Sequence, residues 1–153
     1  MTQPPPDEIV RHIDLNATPG RVWEALSDST QFGQWFQCTV DGPFEVGRTV
    51  NCRTTYEGGD AVWQKHVRAM EPERYFAFSW SPGSDGTGAT MLNDEAGETL
   101  VEFTIERTPQ GTRLTIRESG FAALPVSFAD LSYRRNTQGW DAQVINITGF
   151  LDE

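Results

Sequence analysis

The sequence predicts an α+β domain in which a curved, mostly antiparallel sheet wraps around a long C-terminal helix, with two short helices after the first strand. Three observations carry this. Trp140, Val144, Ile147 and Leu151 recur at steps of four, three and four, which draws one apolar stripe along a helix. Thr18-Pro19-Gly20-Arg21-Val22-Trp23-Glu24-Ala25-Leu26 opens a shorter helix, with Thr18 as its N-cap and Pro19 in the first helical position. Between them runs a long series of segments with strand-like alternation. A sheet closed by one helix is a grip around an interior, so the functional question is what that interior holds.

The elements follow in order. Residues 1–7 read as a loose arm and 8–153 as one domain. Ile9, Arg11 and Ile13 alternate with Val10, His12 and Asp14 in a first strand that ends near Asn16. The first helix runs from Pro19 to about Ser27. Asp28-Ser29-Thr30 caps a second one, from Gln31 to Phe36. Val40 lies in a brief extended segment before the turn Asp41-Gly42-Pro43. Arg48 to Tyr56 and Ala61 to Met70 form a hairpin about Gly58-Gly59, and Glu71-Pro72-Glu73 turns the chain into a strand from Tyr75 to Trp80. Phe76, Phe78 and Trp80 share one face of that strand. Residues 81–97 are Gly-rich with little apolar patterning and read as a long loop. Thr99 to Arg107 turns Val101, Phe103 and Ile105 inward. After Pro109-Gln110-Gly111, Thr112 to Ser119 turns Leu114, Ile116 and, by the same alternation, Glu118 inward. Residues 122–133 read as a connection with room for one helical turn before the last helix.

Composition narrows the function. The chain of 153 residues carries 22 acids against 12 bases, a net charge of -10. Nucleic acid is bound through clustered Lys and Arg, so it is not an expected partner, and an anionic membrane is disfavoured for the same reason. Met1 to Glu8 is polar and Pro-rich, with neither a basic start nor an apolar stretch, which makes the cytoplasm the expected compartment. Cys38 and Cys52 fit no zinc or CxxC motif. They read as free thiols, with a disulfide between them left open. His12 and His66 are the only histidines, and the acids between Asp85 and Glu98 fail the EF-hand spacing, so neither a metal nor a cofactor is expected. No nucleophile elbow and no phosphate loop is present.

Two residues could carry proton chemistry. Glu118 pointing into an apolar interior would have a raised pKa and could donate or accept a proton; at a strand end it could equally reach solvent or pair with an Arg. His66 could join Glu118 or Tyr56 as an acid–base pair, or be exposed or satisfied by one hydrogen bond. Five Trp and nine Phe are many for this length. Phe44, Tyr56, Phe76, Phe78, Trp80, Phe103, Phe121 and Trp140, with Ile116 and Val144, form the expected lining: a wall for a flat, greasy molecule if the interior is hollow, and plain core if it is filled. Trp23 and Trp35 are assigned to helix packing.

Several of these pieces recur in a known order. Val22-Trp23-Glu24-Ala25-Leu26 after a Pro, Trp35-Phe36, Gly42-Pro43-Phe44 with Gly47, Val67-Arg68-Ala69-Met70-Glu71-Pro72-Glu73-Arg74-Tyr75 into Trp80, Gly111-Thr112-Arg113-Leu114-Thr115-Ile116 into Ser119-Gly120-Phe121, and Gly139-Trp140 span Ile9 to Leu151. Together they resemble the START-like helix-grip superfamily (SRPBCC), in the branch named for the activator of the heat-shock chaperone ATPase. The 81–97 loop departs from that pattern, as does Phe36, where a second Trp is frequent. The resemblance implies a helix-grip fold and three readings of function. The first is binding of a small hydrophobic molecule between sheet and helix. The second is a co-chaperone acting on a heat-shock chaperone ATPase. The third is a cyclase or dehydratase using Glu118 and His66. A homodimer is compatible with all three.

Overall fold

The structure is a computed structural model that describes residues 7–56, 59–80, 98–124 and 126–152, without the side chains of 55, 56, 59–61, 63, 126–128, 130 and 131. The expected loop at 81–97 lies outside the described residues, as does the arm apart from Asp7. That residue is tied down: its carbonyl accepts from Gly120 N at 3.0 Å and its carboxylate from Ala122 N at 3.1 Å.

One seven-stranded sheet carries the fold. Its strands are β1 (Glu8–Leu15), β2 (Thr39–Val40), β3 (Thr49–Tyr56), β4 (Gly59–Glu71), β5 (Tyr75–Trp80), β6 (Thr99–Thr108) and β7 (Gly111–Ser119). They lie in the order β1-β7-β6-β5-β4-β3-β2, with every neighbouring pair antiparallel. Helices α1 (Pro19–Ser27), α2 (Ser29–Phe36) and α3 (Val126–Leu151) pack on its inner face, and a 3-10 turn (Phe121–Ala123) leads into α3. This is the expected helix-grip architecture.

Local chemistry explains the elements. The Thr18 hydroxyl accepts from Arg21 N at 3.2 Å and Pro19 opens α1, which buries Val22, Ala25 and Leu26. The Asp28 carboxylate caps α2 through Thr30 N and Gln31 N, and Gln37, with φ of 66°, ends it in the left-handed region. In β4 the register slips between Val67 and Ala69. This bulge reverses which parity faces inward. Before it Lys65 and Val67 lie opposite Trp80 and Phe78; after it Met70 lies opposite Phe76.

The last helix begins earlier than its apolar stripe suggests. Residues 122–133 were expected to be a connection, but α3 starts at Val126. Its inner face continues upstream as Ala129, Ser132 and Asn136. Asn136 is polar because it reaches a buried polar centre, and with the buried Ser132 it breaks the apolar stripe in the sequence. The core itself is the inner face of all the long strands plus the stripe of α3, including Trp140, Ile147 and Leu151. Among the described residues no helix is long and apolar enough to cross a membrane.

Candidate functional site

The polar centre is Glu118. Strand alternation turns it inward beside Leu114 and Ile116, and its side chain is fully buried. Its Oε2 accepts from the Trp80 indole at 2.8 Å and the Thr99 hydroxyl at 2.5 Å. Its Oε1 accepts from the Trp140 indole at 2.8 Å, and the Asn136 amide reaches both oxygens at 3.0 Å. Two of these four partners come from α3, so the carboxylate ties the helix to the sheet. None of them is a cation, and the alternative of a wet or Arg-paired strand end is ruled out. Burial pushes the carboxyl above its ordinary range, and the hydrogen bonds from Thr99, Trp80, Trp140 and Asn136 pull part of the way back.

Around it stands a continuous aromatic wall. Trp80 and Trp140 lie 6.1 Å apart between ring centroids, Phe103 is 6.1 Å from Trp140, and Phe78 is 5.2 Å from Trp80. Phe76 and Phe44 extend the wall towards α1 and α2. These separations suit edge-to-face and tilted packing. Ile116 is buried beneath them, and Val144 is half-buried on α3. Phe121 is buried apart from the wall, against Tyr133 at 5.3 Å. The Tyr56 side chain lies outside what the structure describes. Trp35 packs helices, as expected, donating to Ala25 O at 2.8 Å, while Trp23 on α1 stands near-perpendicular to Phe76 of β5 at 6.4 Å between ring centroids.

His66 is not part of this centre. It lies opposite Thr49 and Ser79, on the outer face of the sheet. There it bonds Thr49 Oγ1 at 2.7 Å and the Glu98 carboxylate at 2.9 Å. Of the two alternatives, a histidine satisfied by its own partners holds and a pairing with Glu118 fails, because successive strand residues face opposite ways and Lys65, not His66, has the inward position.

Lys65 is the residue that the sequence reading missed. It is fully buried, and its Nζ has no hydrogen-bond partner of good geometry. Four rings enclose it, with centroids at 3.8 Å (Phe32), 4.3 Å (Phe36), 4.5 Å (Phe78) and 5.1 Å (Trp80). Cation–π attraction favours its charge; burial opposes it and holds the amine below its usual range. The nearby sulfurs of Cys52 and Cys38 support the charge. Cys52 is lowered to about 6, first by a hydrogen bond from Cys38 and then by Lys65, while Cys38 is raised. Trp80 thus joins two buried ionisable groups, presenting its N–H to Glu118 and its face to Lys65. The signal was available: inward parity in β4 puts a lysine on an apolar face. Phe32 on α2 was missed for the same reason, since its partner was not anticipated, whereas Phe36 had stood out as a departure from the family pattern.

Among the described residues no cluster of His, Cys, Asp or Glu could hold a metal. Among the described residues, open depressions on the outer face include one of about 400 Å³ lined by Thr39, Asp41, Asn51, Arg53 and Val62 and another of about 450 Å³ beside Glu71, Arg74 and Tyr75. Neither touches the aromatic wall.

Comparisons with known proteins agree with this architecture. A protein of Mesorhizobium loti superposes with a TM-score of 0.75 at 23% identity, covering 95% of this chain and 96% of that one. One from Arthrobacter aurescens gives 0.77 at 20% identity, over 95% and 86%. One from Chromobacterium violaceum gives 0.74 at 18% identity, over 97% and 99%. At such identities they establish the fold alone. No curated protein matches at a significant level. The family profile described as Activator of Hsp90 ATPase homolog 1-like protein matches residues 16–152, nearly the whole chain, and the protein belongs to that family.

Proposed function

We propose that this protein binds a small, flat hydrophobic molecule between the curled sheet and α3, with Glu118 as the polar group that orients it. The observation that carries the reading is the setting of that carboxylate. It is fully buried on an aromatic wall, held by four neutral donors and shared between the two halves of the grip. Hydrophobic pockets that recognise small molecules combine such walls with few fixed polar groups. Phe36, half-buried and within 6.2 Å of both Trp80 and Trp140, forms the rim. Binding parts these three rings.

The enzyme reading loses His66, which faces the other side of the sheet. The co-chaperone reading rests on the family's description alone. Native mass spectrometry of freshly purified protein tests the proposal. A small apolar molecule that leaves on denaturation, and that binds less well to Trp80→Ala or Trp140→Ala, supports it. A mass equal to the bare chain, together with no uptake of a hydrophobic dye, contradicts it.

A further inference from the structure

Among the described residues the charged side chains that are fully buried are Lys65 and Glu118. The fold treats them oppositely. Glu118 accepts from four donors, whereas the Lys65 Nζ, which carries three N–H bonds when charged, has no hydrogen-bond partner. Among the described residues no salt bridge reaches it. The ladders aim it inward: Lys65 lies opposite Val50 on β3 and Trp80 on β5, both buried. The rings of Phe32, Phe36, Phe78 and Trp80, with centroids 3.8 to 5.1 Å from Nζ, return part of the lost hydration. None of them is an acceptor for its N–H bonds. A buried ammonium without an acceptor is costly, and an acceptor brought by a ligand removes that cost.

We propose that the molecule held in the grip is a flat carboxylic acid, seated with its carboxylate on Lys65 and its uncharged end towards Glu118. The inference rests on the ligand-binding reading above and names the chemistry of the ligand. Ammonium and carboxylate form charge-assisted hydrogen bonds, roughly twice as strong as neutral ones. The orientation follows from sign. Glu118 is itself a carboxyl group held by neutral donors, so an anion placed against it meets no cation. One indole joins the two poles: the Trp80 ring centroid lies 5.1 Å from the Lys65 Nζ, and its N–H donates to Glu118 at 2.8 Å. A flat body stacked along that indole faces both. Burial holds the amine below its usual range, and an anion beside it favours the charged form.

Phe36 gives access. Of the four rings, Phe32, Phe78 and Trp80 are buried and Phe36 is half-buried. It lies 4.3 Å from Nζ, 6.0 Å from Trp80 and 6.2 Å from Trp140. It is the last residue of α2, and its carbonyl accepts from the Gln143 amide of α3 at 3.1 Å. The backbone is anchored there, while the side chain can change rotamer. That single turn uncovers Lys65 and both indoles together.

The test compares cinnamate with cinnamamide, which keeps the flat body and lacks the charge, by isothermal titration calorimetry on the full chain near neutral pH. Cinnamate should bind wild type roughly ten- to a hundredfold more tightly. In Lys65→Met, checked for folding by circular dichroism, the acid should lose that advantage while the amide keeps its affinity. Decanoate, an acid without a flat body, should bind less tightly than cinnamate. Equal affinities for cinnamate and cinnamamide in wild type, an advantage for the acid that survives in Lys65→Met, or decanoate as tight as cinnamate overturns the inference. The uncharged dye Nile red separates the two readings. If it binds and cinnamate does not, this inference falls alone; if neither binds, the ligand-binding reading falls with it.

Discussion

Replacing Glu118 by Gln keeps the side chain's shape and removes its charge. The carboxylate accepts from Trp80 and Thr99 on Oε2, from Trp140 on Oε1 and from Asn136 on both. A Gln amide places an NH₂ group at one of these positions. At Oε1 it meets the Trp140 N–H; at Oε2 it meets the Trp80 N–H. The Thr99 hydroxyl can rotate to accept and the Asn136 amide can flip, but an indole only donates. In either orientation one buried indole N–H loses its acceptor, at a cost of about 1–3 kcal/mol. A protonated Glu118 avoids this, because its O–H can donate to Thr99 while its remaining lone pairs serve both indoles. Burial raises the folded carboxyl above its ordinary value of 4.5. Above that value the unfolded chain has released a proton that the folded chain still holds. The stability from this group is therefore fully present below 4.5 and is lost as pH rises through the folded pKa, by up to about 1.4 kcal/mol per pH unit. The variant does not titrate there. Glu118→Gln should thus be less stable than wild type by about 1–3 kcal/mol at the acid end, with the gap closing as pH rises. Urea unfolding followed by circular dichroism, repeated from about pH 4 to 8, measures both curves. Parallel curves, or a wild type that gains on the variant with rising pH, would mean that the folded carboxyl is not held above its ordinary range.

Other outcomes follow from the same contacts. Lys65→Met removes a buried charge without a hydrogen-bond partner and keeps a long stem, so the urea midpoint should hold or rise, whereas Lys65→Ala opens a cavity and should cost about 2–5 kcal/mol. Trp140→Phe deletes one hydrogen bond to the carboxylate and should cost about 1.5–3 kcal/mol by denaturant titration. Asp28→Ala strips the α2 cap and should lower stability by about 1 kcal/mol, read from the same unfolding curves.

The frame of the fold was legible because each long element repeats its own period. Phe76, Phe78 and Trp80 on β5, and Val101, Phe103 and Ile105 on β6, face inward as alternation requires. The same rule brought Glu118 inside. It could not say whether the carboxylate was satisfied, since its donors come from β5, β6 and α3, far apart in sequence. The bulge after Val67 was invisible, because nothing local in Val67-Arg68-Ala69 marks a change of parity. The start of α3 was obscured by Ser132 and Asn136, polar where the stripe should be apolar; the reason for Asn136 is Glu118 across the interior, and nothing in the structure explains Ser132. Lys65 was overlooked because a lysine in a strand is ordinarily exposed, and only α2 folding over β4 supplies the rings that cover it.

A hydrophobic molecule held between sheet and α3, as proposed, would lie against the Trp80–Trp140 wall and alter tryptophan emission. Titration with an environment-sensitive hydrophobic dye, read through dye emission and tryptophan quenching, tests it most directly. One dye should bind per chain, saturably, with quenching lost in a Trp80→Phe, Trp140→Phe double variant that still folds. Binding that never saturates, or quenching unchanged in that variant, would contradict it and leave these aromatic residues as core alone.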